Sequence, residues 1–159
     1  MRSASAFTLV ELILVMAILA TILALSAPSL SRSFKQRNVD QEATRLLALT
    51  EYARDEAVSQ GVPMSVWIEP NSGRFGVAVK DGYAGDASRE KTYELPQDVH
   101  FELSQAATGQ NGHVDAAEFA PDGTLDTDSI EAVRIVDTSN SAVSLAQDDD
   151  GWGYEIVKP

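Results

Sequence analysis

Glu11 stands at the edge of a stretch, Leu12 to Ser31, in which twenty residues carry no charge. At about 1.5 Å rise per residue such a stretch spans roughly the 30 Å hydrocarbon core of a bilayer. A carboxylate at the lip of a membrane helix is expensive, so it marks a functional position. Its chemistry is to neutralise a cation in a medium of low dielectric, where an unpaired charge is costly. The other chemistry-bearing residues offer less. His100 and His113 are the only histidines and lack zinc spacing, and there are no cysteines, which excludes disulfides, thiolate metal sites and cysteine nucleophiles. Gln147-Asp148-Asp149-Asp150-Gly151 invites a calcium reading, but an EF-hand counted back from Gly151 puts Ala146 at the first ligand and Val157 at the bidentate glutamate. No Gly-x-Ser-x-Gly or P-loop pattern occurs, so no catalytic residue, cofactor or metal ligand is expected and the chain is not read as an enzyme.

The element that must position Glu11 is the apolar segment itself. A cleaved secretory signal wants a basic start, 7–15 apolar residues and a small-x-small exit. Here only Arg2 precedes the run, the run is too long, and Ser26-Ala27-Pro28 is a poor exit. Small residues instead precede it, as Ser3-Ala4-Ser5-Ala6, where cleavage would remove a short polar leader and keep the apolar segment.

Ala6-Phe7-Thr8-Leu9-Val10-Glu11-Leu12 resembles the processing motif of type IV pilins and type II secretion pseudopilins. The resemblance implies cleavage between Ala6 and Phe7 by prepilin peptidase, N-methylation of Phe7, and Glu11 as the fifth mature residue. It implies that Glu11 pairs with the new amine of an adjacent subunit in a growing filament. The family usually has Gly before the cut, where this chain has Ala6. Arg32, Lys35 and Arg37 follow the run and only Arg2 and the amine of Met1 precede it, so charge bias alone would put the C-terminal side in the cytoplasm. The resemblance implies the opposite: a bacterial inner-membrane protein, single-pass, with its C-terminal domain in the periplasm.

Pro28 removes one helix hydrogen bond and predicts a kink there. Beyond it Val39, Ala43, Leu46, Thr50, Ala53 and Ala57 step by four and three, which draws one apolar stripe on a helix. Arg32, Lys35, Arg37, Asp40, Glu42, Arg45, Glu51 and Asp55 supply polar faces, and Gly61 and Pro63 end the helix. Leu49-Thr50-Glu51-Tyr52-Ala53-Arg54-Asp55-Glu56-Ala57-Val58, followed by Gly61-Val62-Pro63-Met64-Ser65-Val66, is similar to the helix-to-strand passage of the GspH/FimT family of minor pseudopilins and pilus-biogenesis proteins. Arg54 and Glu56 flank the stripe and are read as solvated or domain-contacting.

From Val62 the period changes to two, with Met64, Val66 and Ile68 alternating against Ser65, Trp67 and Glu69. Further short strands are expected over 74–80, 92–95, 99–103, 117–120, 132–136, 142–146 and 153–157, separated by turns such as Pro70-Asn71-Ser72-Gly73 and Pro121-Asp122-Gly123 and by a loop over 104–113. The expected fold is α+β: a long N-terminal helix, membrane-spanning in its first half, packed on a small antiparallel sandwich-like domain. The expected division is a leader over 1–6, a transmembrane or filament-core helix over 7–30, its amphipathic continuation over 31–61, and a periplasmic β-domain over 62–159.

Net charge is −12. Residues 1–61 hold six acids and six bases, whereas 62–159 hold eighteen acids and six bases. That surface repels nucleic acid. The resemblance therefore implies a minor pseudopilin of a type II secretion system, partnered by other pseudopilins, by prepilin peptidase/methyltransferase and by the inner membrane. The alternative is a FimT-like minor type IV pilin without DNA binding. A membrane-tethered enzyme would need a pocket of convergent titratable groups. The resemblance also leaves open calcium at the Asp148–Asp150 turn, since major pseudopilins bind it in a C-terminal loop.

Overall fold

The computed structural model describes residues 9–103 and 113–158, the side chains of 25–36 excepted. The chain forms two compact units that divide between Phe34 and Lys35. Helix α1 is Leu9–Gln60, and its helical backbone continues through position 28. Gly61 closes it. Its φ of 67° is the left-handed conformation that suits glycine, and its N–H donates to the Ala57 carbonyl at 3.0 Å.

Eight strands follow: β1 (Met64–Glu69), β2 (Arg74–Val79), β3 (Lys91–Glu94), β4 (Val99–Leu103), β5 (Val114–Phe119), β6 (Ala132–Asp137), β7 (Ala142–Gln147) and β8 (Tyr154–Val157). They build two antiparallel four-stranded sheets, ordered β3-β2-β1-β5 and β4-β6-β7-β8. The β1–β2 hairpin pairs Glu69 with Arg74, and Gly73 donates to the Glu69 carbonyl at 2.9 Å across the expected turn.

The core lies where the helical stripe meets both sheets. Val39, Ala43, Ala53 and Ala57 are fully buried and Leu46 nearly so. Leu46 and Thr50 face Val66 and Ile68 of the first sheet and Val133 and Leu145 of the second. Phe75 of the first sheet meets Phe101 of the second edge to face, with centroids 5.5 Å apart. Tyr154 of β8 donates its hydroxyl to the Ile130 carbonyl at 2.8 Å and approaches the Ala116 carbonyl of β5 at 3.2 Å. Burial pushes that phenol up to about 12.

Three details differ from the sequence reading. Strand β1 does not alternate: every residue from Met64 to Ile68 is buried. Ser65 turns its hydroxyl onto Asp115 at 2.5 Å, and Trp67 lies between the guanidinium of Arg74 and the ring of His113. Strand β5 begins at Val114 rather than Ala117, because a bulge makes Val66 face Ala117 and Trp67 face Asp115, leaving Ala116 as the extra residue. The polar loop after Lys80 contains a short 3-10 turn, Ala87–Arg89, capped by Asp86, whose side chain accepts from the Ser88 N–H.

Candidate functional site

Glu11 lies in the first turn of α1, where the positive end of the helix dipole favours a carboxylate. Around it the helix has no polar face. Every residue from Leu9 to Ala24 is exposed, with Leu9 and Val10 each 74% accessible. Thr21 returns its hydroxyl to the Ala17 carbonyl at 2.8 Å, so even this polar side chain is satisfied within the helix. A helix apolar on all sides is suited to burial among other helices or in lipid. Glu11 is the single ionisable residue on that surface. Among the described residues no helix is long and apolar enough to cross a membrane. Ala6 and Phe7 lie outside the described residues, as does the side chain of Pro28.

The C-terminal third of α1 holds the domain through a polar clasp. Glu56 is buried and accepts both bonds from one Arg89 nitrogen, at 2.9 and 2.8 Å. Gln60 donates to Glu56 at 3.1 Å and accepts from the Asp86 N–H at 2.9 Å. Tyr52 donates to the Arg89 carbonyl at 3.0 Å, and the Lys91 ammonium sits 3.3 Å above the Tyr52 ring centroid. Burial acts to raise the Glu56 carboxyl, but the hydrogen bonds from Arg89 and Gln60, with the Arg89 charge, outweigh it and hold the group below its ordinary range. The arrangement anchors the segment between β2 and β3. Of the pair flanking the stripe, Glu56 thus contacts the domain, whereas Arg54 is exposed, its guanidinium 6.0 Å from the Trp152 ring centroid.

Glu42, expected on a polar face, is buried at 4% accessibility. Burial raises its carboxyl, and Arg45, bonded to both its oxygens at 3.0 and 3.1 Å, opposes that shift. Arg45 also lies over the Tyr93 ring of β3, so this helical pair also reaches a strand.

The two histidines do not converge. His100 on β4 lies 3.7 Å from Glu102, and His113 stacks on Trp67 with its nitrogens 3.6 Å from Asp115 and 3.9 Å from Glu69. Among the described residues no group of three His, Cys, Asp or Glu side chains could hold a metal ion. One oxygen of Asp148 accepts from the N–H groups of Trp152 and Gly153, at 2.9 and 3.3 Å, which closes the turn before β8. Arg89, Tyr154 and Trp152 carry contacts that sequence reasoning passed over. Each acts across a long sequence separation and has no periodicity to announce it.

Comparison with protein families matches residues 42–157 to type II transport protein GspH and residues 1–27 to the prokaryotic N-terminal methylation motif. Compared with curated proteins, the chain shows no significant match. Among solved structures it is similar to the type IV minor pilin FimU of Pseudomonas aeruginosa, at 20% identity and a TM-score of 0.54, covering 79% of this chain and 92% of that one. It is also similar to the minor pseudopilin EpsH of the type 2 secretion system of Vibrio cholerae, at 11% identity and a TM-score of 0.48, covering 79% and 97%. The FimU likeness shows a pilin-like fold. With the family match covering the stripe of α1 from Ala43 onward and all eight strands, the chain belongs to the type II transport protein GspH family.

Proposed function

We propose that the chain is a minor pseudopilin of a type II secretion system, a structural subunit that helps drive folded proteins across the outer membrane. One observation carries this reading: a GspH match over 42–157 is joined in the same chain to an N-terminal methylation motif over 1–27. Prepilin peptidase removes residues 1–6 by cutting between Ala6 and Phe7, and Phe7 is then N-methylated. Residues 7–30 anchor the subunit in the inner membrane and later enter the filament core, bending at Pro28. Residues 31–61 continue the helix onto the periplasmic β-domain of 62–159.

Glu11 is the docking charge. A carboxylate on an otherwise apolar helix surface is stabilised by a cation beside it. The α-amine of Phe7 in an adjacent subunit supplies one, so correct stacking is rewarded and wrong register forgoes that pair. The subunit's partners are other pseudopilins, and its role is assembly rather than catalysis. The acidic surface opposes nucleic acid. The likeness to FimU concerns a fold that pilus and secretion subunits share, so it does not favour the pilus reading.

The test is assembly of the full chain in its own membrane. Wild type is expected to co-purify with other methylated pilin-like subunits. Glu11→Leu is expected to enter the membrane normally and to lose about ten-fold or more of that association. A Glu11→Leu chain that assembles as well as wild type overturns the docking role.

A further inference from the structure

The outer face of the β-domain carries a patch that neither the fold nor the filament reading uses. Val58 of α1 is 54% exposed and Trp152 of the β7–β8 turn is 50% exposed. Arg54 joins them, its guanidinium over the indole and its side chain beside Gly123. A Cβ at Gly123 would meet Val58 Cγ2 at 3.1 Å and Arg54 Nε at 3.6 Å, so the β5–β6 turn closes tightly against this centre.

Beside Arg54 a cleft of about 120 Å³ opens between α1 and the β7–β8 turn, with Phe119 and Tyr154 lining it together with Glu51 and Asp148. Sites for small ligands run to about 300–1,000 Å³. This one takes a single side chain. Exposed carboxylates neighbour these residues along the chain: Glu51 and Asp55 on the helix, Asp122 next to Gly123, Asp149 and Asp150 before Trp152.

Tryptophan and arginine dominate the centres of protein interfaces, and a charged rim steers the partner by its sign. The backbone that carries the anchor is held before binding. The Trp152 backbone N–H donates to Asp148 at 2.9 Å, and Gly151 takes a φ of 69° to make that turn. A held turn spares the cost of ordering that backbone on association.

We propose that this face docks a partner protein that presents lysine or arginine side chains around an apolar or aromatic tip. The tip packs on Trp152 and Val58, and the basic collar pairs with the acidic rim, reaching Glu51 at the mouth of the cleft. Charge complementarity selects this occupant. A second copy of the same acidic face would oppose it, and anionic lipid or nucleic acid would be repelled by it.

The test uses the full chain in cells, with p-benzoylphenylalanine in place of Val58, irradiation, and mass spectrometry of the cross-linked peptide. The expected product is a peptide of another protein with basic residues flanking the attachment point. Asp149→Lys with Asp150→Lys is expected to lower its yield about five-fold or more, and Glu94→Lys, on β3, to leave the yield within about two-fold. If the double reversal loses its thermal transition, Asp149→Asn with Asp150→Asn replaces it and is expected to lower the yield about two-fold. Attachment to a second copy, to lipid or to a peptide without bases overturns the proposal. So does no product, or a yield indifferent to charge reversal. Normal N-terminal processing alongside such a failure leaves the filament reading standing.

Discussion

Replacing Tyr154 with phenylalanine removes one hydroxyl and leaves the aromatic packing in place. The hydroxyl is buried between the sheets, 2.8 Å from the Ile130 carbonyl and 3.2 Å from that of Ala116. Ala116 keeps a partner in the variant, because the Ile130 N–H still reaches it at 2.8 Å. Ile130 keeps only the Gln147 amide, at 3.5 Å, which is too long to compensate. The loss is therefore one buried hydrogen bond plus part of the desolvation of a carbonyl, about 1–2 kcal/mol. Against a urea dependence of about 2 kcal/mol per molar, the midpoint falls by about 0.5–1 M.

A pH signature separates this cause from looser packing. In the native state burial holds the phenol protonated up to about 12, against an ordinary value of 10.0. A raised native value means that the stability it confers is complete below the unfolded value and is lost as pH rises through the native one. Raising the pH from 9 to 11 ionises the unfolded wild type alone, which costs it about 1.4 kcal/mol at pH 11. The variant has no such group, so the gap between them narrows by that amount. Paired urea titrations at the two pH values make the measurement. A gap that stays constant, or a variant as stable as wild type at pH 7, refutes the reasoning.

At Gly76 a Cβ would run into the Lys91 carbonyl oxygen of β3 and lie 2.7 Å from the Trp67 ring, so Gly76→Ala is expected to destabilise the domain by about 1–3 kcal/mol and to shift Trp67 fluorescence. Unchanged stability would show that β2 and β3 leave room for a side chain there, and unchanged emission that the indole is not pressed on the β2 backbone. For Glu56→Gln the deficit relative to wild type is expected in full above pH 4.5, the ordinary carboxylate value, and to shrink as pH falls through the lower native value. Hydrogen exchange across 81–91 is expected to quicken in this variant, and denaturation at pH 7 and pH 3 checks the sign. A deficit equal at both pH values would remove the carboxylate from the account.

The stripe of α1 was legible because a helix burying one face repeats its apolar residues every three or four positions, and Val39 to Ala57 do so without interruption. The turns at Gly73 and Gly123 were legible because a positive φ selects glycine. Where β1 runs between two neighbours the alternation vanished, since Ser65 and Trp67 are covered by partners on β2, β5 and the segment before it. The bulge at Ala116 hid the start of β5 in the same way, by placing two small apolar residues together. Glu42 and Glu56 were misplaced or under-read because a carboxylate looks solvated until the arginine that pairs with it is located. For Glu56 that arginine is thirty-three residues away. The N-terminal motif was legible as a run of adjacent residues, a local signal that needs no fold to read.

The central claim is that this chain is processed into a filament subunit. Intact-mass analysis of the protein extracted from its own membrane tests it most directly. The account predicts a chain that begins at Phe7, carries one added methyl group on that α-amine, and retains every residue through Pro159. A chain that keeps Met1 to Ala6, or that is cut after the apolar run near Pro28, would contradict it.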